Sequence, residues 1–122
     1  MLKKRLESFK YAFKGIATLF KSEVNARIHL FFTCLVIPMG FYFQVALWEW
    51  CLLILCIALV LSAEAVNTAI EKLTDLISPD YHPLAGQAKD VAAAAVLLLA
   101  IGAAIIGLLI FVPKIYTSFF LS

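Results

Sequence analysis

Residues 50–77 read WCLLILCIALVLSAEAVNTAIEKLTDLI. The first half, Trp50 to Ala63, carries no charge, whereas Glu64, Asn67, Glu71 and Asp75 follow at spacings of three, four and four. At about 100° per residue, these four side chains fall within an arc of roughly 80°, on one side of a single helix. Setting an ionisable side chain against lipid costs at least ~2.5 kcal/mol. The stripe therefore faces protein or a wet cavity, and intramembrane stripes of this kind mark functional sites.

The rest of the chain supports a membrane reading. Its 122 residues are 64% hydrophobic, with a mean hydropathy of +0.99. A soluble domain of this length has too much surface for its volume to hide that apolar content. The composition implies an all-α integral membrane protein with a single domain over residues 1–122. So small a chain has little interior of its own, which predicts an oligomer whose neighbours shelter the stripe. Lys3, Lys4, Arg5, Lys10, Lys14, Lys21 and Arg27 all precede the first apolar span, while Gln44 to Glu49 contains no basic residue. The positive-inside rule then places the N-terminus in the cytoplasm. The basic segment does not argue for nucleic acid, because the remainder is lipid-seeking. The apolar runs begin too late for a cleavable signal and lack a processing site. Cys34, Cys51 and Cys56 lack paired spacing and nearby histidines, and read as small buried hydrophobes.

Residues 2–21 show helical amphipathy. Leu6, Phe9, Phe13, Ile16 and Phe20 lie on one face and Lys3, Lys10, Lys14 and Lys21 on another, the pattern of a helix lying in the headgroup region. The first span is expected at about residues 28–47, loosened by Pro38 and Gly40. Tyr42, Trp48 and Trp50 form an interfacial aromatic belt. The second span covers about 50–70 and continues as helix to about Ile77, where Pro79 stops it. A cytoplasmic loop is expected at 78–88, although Pro83 suits a first helical turn. The third span, about 91–112, is an unbroken apolar run long enough to cross ~30 Å, with small residues that permit close helix packing. This topology brings Glu71, Asp75, Asp80, His82, Lys89 and Asp90 to the cytoplasmic boundary, beside Glu23 and Arg27.

Carboxylates such as Glu23 and Glu71 at one depth can hold Mg²⁺, which takes one or two protein carboxylates and completes its shell with water and phosphate oxygens. Lys89 can neutralise a phosphoryl oxygen as a point charge. Glu64 lies roughly 10 Å deeper along the helix than Glu71, where a carboxylate meets the head of a lipid and can take a proton from its hydroxyl. Together these parts point to phosphoryl transfer at a membrane surface, a reaction governed by positioning and charge neutralisation. Each also has a plainer reading: Glu64 as an ion-pair partner in a packed bundle, Asn67 as interhelical glue, Lys89 as an interfacial anchor, His82 as a turn residue. No GxxxxGK[ST] loop, kinase Gly-rich loop or HExxH is present.

The stretch Glu64-Ala-Val-Asn67-Thr-Ala-Ile-Glu71-Lys-Leu-Thr-Asp75, followed by Asp80-Tyr81-His82-Pro-Leu-Ala-Gly-Gln-Ala-Lys89-Asp90, resembles the bacterial integral-membrane diacylglycerol kinase family, which includes the undecaprenol kinases. The resemblance covers nearly the whole chain and extends to Tyr11, Lys14-Gly15, Glu23 and Arg27. It implies a homotrimer of three-span subunits with an N-terminal surface helix and active sites shared between subunits in the bacterial plasma (inner) membrane. It further implies Glu64 as general base, Glu23 and Glu71 as Mg²⁺ ligands bridging the phosphates of ATP, and Asn67, Lys89 and Asp90 organising those phosphates. Tyr11 and the turn Asp80-Tyr81-His82 would contribute to nucleotide binding, and Arg27 and Trp50 would lie near the lipid.

Two positions depart from the family pattern. Lys4, with Arg5 adjacent, stands where the family has a nucleotide-contacting arginine, and a lysine loses the bidentate geometry. Asp80 replaces the usual glutamate. The segment Asn25-Ala-Arg27-Ile-His29 looks more like the undecaprenol kinase branch. The expected function is thus an ATP-dependent lipid kinase whose acceptor is diacylglycerol or undecaprenol. The competing expectation, a small oligomeric channel or proton-coupled transporter, requires ionisable residues at mid-membrane.

Overall fold

The structure, a computed structural model, describes residues 1–121. Four helices follow one another: α1 (Leu2–Ser22), α2 (Val24–Tyr42), α3 (Leu47–Ile77) and α4 (Pro83–Phe120). α2, α3 and α4 are each long and apolar enough to cross a membrane.

A single residue, Glu23, separates α1 from α2. Its extended backbone (φ −115°, ψ 115°) closes α1, its N–H donating to the carbonyl of Leu19 at 3.0 Å. It also occupies the N-cap of α2, where its carboxylate makes no capping bond. The resulting elbow folds α1 and the start of α2 onto α3, and Ala26 is completely buried there.

The first span is shifted from its expected place: α2 begins at Val24 and stops at Tyr42, not at 47. Gln44 adopts a left-handed conformation (φ 50°). The N–H of Gln44 donates to the carbonyl of Phe41, and that of Val45 to the carbonyl of Gly40 at 3.1 Å. This is the Schellman arrangement that satisfies the last carbonyls of a helix. Val45 then turns inward and joins Leu53, Ile110 and Phe111 in a buried cluster, with Met39 and Trp50 packed against it.

That cluster gathers the end of α2, the start of α3 and the far part of α4, so α3 runs antiparallel to both neighbours. Its longest contact is with α4. An ion pair pins the two at this end: Lys114 Nζ donates to Glu49 Oε2 at 2.8 Å, while Glu49 Oε1 accepts from the N–H of Ala46 at 2.9 Å. Nothing in the sequence reading paired these residues, which lie 65 positions apart.

At the opposite end the connection is shorter than expected. Helix α4 begins at Pro83, so the loop is confined to Ser78–His82 and residues 83–88 are helical. Proline fits the first helical position because its missing N–H needs no partner there. His82 Nδ1 accepts from the N–H of Leu84 at 3.1 Å and caps the helix.

Two further expectations are corrected. Cys34 and Cys51 are exposed on the surface of the chain, and only Cys56 is partly buried. Within one chain a Cβ at Gly102 or Gly107 would meet nothing within 4 Å, whereas one at Gly40 would come within 2.5 Å of the Trp50 ring. Finally, the deep part of the stripe needs no second subunit to leave solvent. Glu64 is 1% exposed and Asn67 6% exposed within a single chain, because the α1–α2 elbow closes over that side of α3.

Candidate active site

The site is built where α3 passes beneath the elbow. Along α3, Glu64 and Asn67 are buried, Glu71 is half-buried and Asp75 is exposed. The stripe thus climbs from the interior of the helix bundle to its edge over eleven residues, roughly 16 Å. Asn67 Nδ2 donates to Glu71 Oε1 at 3.2 Å. The neighbouring Thr68 is also buried, but its hydroxyl is spent on the carbonyl of Glu64 at 2.8 Å.

Glu64 is the only fully buried large side chain among the described residues. Neither of its carboxylate oxygens has a hydrogen-bond partner, and the same holds for Asn67 Oδ1. Orphaned buried acceptors of this kind cost about 1–3 kcal/mol each, and a fold retains them where something else binds. His29, on α2, brings Nε2 to 3.3 Å from Glu64 Oε1, within ion-pair reach but without hydrogen-bond alignment. The charges of Glu23, at the elbow, and of Glu71 also act on Glu64. Two carboxylates are therefore carried near a third, and the carboxylate of Glu23 is not engaged as a cap.

Glu23 and Glu71 fit a hard divalent cation that shares its shell with phosphate oxygens. They do not make a complete metal cage: no group of three or more His, Cys, Asp or Glu side chains among the described residues is arranged to hold an ion. A ligand with its own oxygens would have to finish the shell.

Of the remaining expected residues, Asp80, Tyr81, His82 and Lys89 gather with Asp75 at the α3–α4 turn. Lys89 Nζ is ion-paired with Asp75 Oδ1 across the α3–α4 interface. Next to that pair, a cleft of about 150 Å³ opens between the end of α3 and the start of α4, lined by Thr74, Asp75, Asp80, Tyr81, His82 and Lys89, among others. Asp90 is exposed on the adjoining turn of α4. Tyr11 is exposed on α1, with Lys14 Nζ lying 5.7 Å from its ring centroid. Arg27 is exposed on the first turns of α2. Trp50 is not brought near Glu64: it lies fourteen residues back along α3, roughly 21 Å away, packed against Phe41 with ring centroids 4.9 Å apart and the planes tilted by 53°. A groove of about 560 Å³ between α3 and α4 is lined mainly by apolar residues such as Ile70, Val91 and Ala95 and contains none of these groups.

The sequence reading missed His29 as a site residue. A signal existed: His29 lies six residues beyond Glu23, and Glu64 seven residues before Glu71. On antiparallel helices these offsets put His29 and Glu64 at similar depths, roughly 9 and 10 Å from the boundary acids.

Comparison with known proteins gives this arrangement a family. The family model for prokaryotic diacylglycerol kinase matches residues 10–111. An undecaprenol kinase from Bacillus subtilis is 42% identical over 114 residues, which is 93% of each chain. A diacylglycerol kinase from Synechocystis is 40% identical over 90% of this chain and 63% of its own length. One from Haemophilus influenzae is 34% identical over 76% of this chain and 79% of its own. The match spans the elbow, the polar stripe and the α3–α4 turn together, and the chain belongs to the prokaryotic diacylglycerol kinase family, a family of lipid kinases.

Proposed function

We propose that this protein is an ATP- and Mg²⁺-dependent kinase of the bacterial plasma membrane that phosphorylates the hydroxyl of a membrane lipid, and that undecaprenol is its first acceptor, ahead of diacylglycerol. The observation that carries the reading is the Glu64 carboxylate, completely buried with neither oxygen hydrogen-bonded, next to the open acceptor of Asn67. A group so expensive to bury is suited to meeting a hydroxyl that arrives within the membrane. The preference for undecaprenol rests on the higher identity and fuller coverage of the Bacillus subtilis relative.

In this reading the lipid enters sideways and its hydroxyl donates to Glu64, which takes the proton as the oxygen attacks. Asn67 orients the carboxylate side of the site through its bond to Glu71. Glu23 and Glu71 would hold Mg²⁺, which supplies charge neutralisation between phosphate oxygens. Lys89 leaves Asp75 to meet a phosphoryl oxygen, and Asp90, Tyr11 and the Asp80-Tyr81-His82 turn bind the nucleotide from the cytoplasm. Arg27 faces the lipid headgroup layer.

The single membrane domain, the surface-lying α1 and a homotrimer with shared sites belong to the same proposal. The incomplete metal cage and the exposed apolar faces of α2 and α4 support completion of the site by a neighbouring copy. A channel or proton-coupled transporter is not favoured, because the relatives are kinases and no charged residue lies between Asp90 and Lys114 in α4.

The test is phosphate transfer from labelled ATP by purified protein in lipid micelles, with undecaprenol and diacylglycerol assayed side by side. Transfer should require Mg²⁺ and fall about 10²- to 10⁴-fold in Glu64→Gln. Absence of transfer to either lipid with Mg²⁺ present refutes the kinase reading. Full activity in Glu64→Gln refutes the assigned base.

A further inference from the structure

We propose that His29 is a positioning residue for Glu64 and the acceptor that relieves it of the proton taken from the lipid hydroxyl. The inference rests on the reading of Glu64 as base. It begins from a contrast in surroundings. Glu64 is sealed inside the bundle, with its side chain 1% exposed, whereas His29, 3.3 Å away, keeps 24% of its side chain exposed. A base buried this completely has no route by which to lose a proton to water. Among the described residues, the imidazole both touches it and reaches the surface.

Other charged groups lie around Glu64. The titratable groups acting on Glu64 are His29 from α2, Glu23 from the elbow and Glu71 from α3 itself. None comes from α4, whose basic residue at this end, Lys89, is paired with Asp75. An imidazolium formed there lies directly against the Glu64 carboxylate that it has relieved.

The step balances as follows. The lipid O–H bond breaks, its hydrogen passing to Glu64 while its electron pair forms the new O–P bond. The bond from the γ-phosphorus to the bridging oxygen breaks, and its electron pair leaves with ADP. The proton on Glu64 then moves to Nε2 of neutral His29, regenerating the carboxylate, and the imidazolium releases it at its exposed edge. Until the imidazolium releases that proton, its Nε2–H faces the regenerated Glu64 carboxylate and holds it in place.

The experiment compares wild-type protein with His29→Gln and His29→Ala in micelles containing undecaprenol, ATP and Mg²⁺, across pH and with added imidazole. Glutamine fills the site but cannot take the proton. It should lower kcat about tenfold while leaving both KM values within about twofold. It should also alter the shape of the pH profile of kcat, which a purely structural role would leave unchanged. Imidazole should restore His29→Ala in proportion to its neutral form, an effect that loss of packing alone does not produce. Failure of imidazole to raise the activity of His29→Ala overturns the assignment, whether because activity never fell or because added base does not return it. If instead Glu64→Gln is fully active, or the wild type phosphorylates no lipid, the underlying reading has failed, and that result is distinct.

Discussion

Asp75 Oδ1 holds Lys89 Nζ in an ion pair that closes the α3–α4 turn. Both side chains are substantially exposed, at 62% and 39%, and pairs in such positions contribute only about 0–1 kcal/mol. The lysine is therefore aimed without being trapped. Asp75→Asn should change stability by less than about 1 kcal/mol and lower kcat/KM for ATP by roughly two- to fivefold, the loss of aim alone. Lys89→Met removes the charge itself and should lower kcat/KM at least about tenfold, in line with the loss of a group that stabilises transition-state charge. ATP titrations at saturating lipid separate the two. Equal effects from both variants would mean that Lys89 acts only through Asp75.

Glu64 is retained at a cost to the fold. Replacing it with an apolar side chain of similar length removes two unpartnered acceptors from the interior. Glu64→Met should therefore raise stability by about 1–3 kcal/mol while abolishing activity. Thermal unfolding in a single detergent checks the first half and a lipid phosphorylation assay the second. A destabilised Glu64→Met would indicate that His29 already compensates the carboxylate in full.

The helix that carries the polar stripe is legible in the sequence. The apolar run ending at Ala63 and the 3-4-4 spacing of Glu64, Asn67, Glu71 and Asp75 are local properties of one helix, and α3 carries them as written. The arrest at Pro79 and the helical start at Pro83 follow from proline's fixed φ and missing N–H. The pairings between helices were harder to read. His29 meets Glu64 because the turn after Tyr42 sets the register of α2 against α3, and that turn uses Gln44 in a conformation normally signalled by glycine. Glu49 meets Lys114 for a similar reason, through the register of α4 against α3. The burial of Glu64 within one chain depends on the elbow at Glu23, where a single extended residue carries no sequence mark of a turn.

Gly40 and Trp50 form a close contact at the opposite end of the bundle. An added Cβ would stand 2.5 Å from the indole ring, well inside van der Waals contact. Gly40→Ala should cost about 1–3 kcal/mol through overpacking, and Trp50→Phe should recover part of that loss in the double variant. A double-mutant cycle on unfolding free energy measures the coupling. Additive effects would show that the indole moves aside freely. With Trp50 roughly 21 Å from Glu64, kcat of the folded fraction should remain near the wild-type value.

Gln44 supplies the last test, because it bears a left-handed conformation without being glycine. For an L-residue that region costs roughly 1–2 kcal/mol, while glycine's extra freedom in the unfolded chain returns part of the gain. Gln44→Gly should therefore be net stabilising by about 0.5–1 kcal/mol. It preserves the bonds from Gln44 N–H to Phe41 and from Val45 N–H to Gly40, since both come from the backbone. Gln44→Val should act in the opposite direction, because a β-branched side chain tolerates positive φ least. The change should extend beyond the turn: a register slip between α2 and α3 would separate His29 from Glu64. Thermal unfolding and turnover should fall together in Gln44→Val and should separate in Gln44→Gly, where stability rises and turnover stays unchanged. A Gln44→Val variant with wild-type stability and turnover would show that the turn does not set the register on which the site depends.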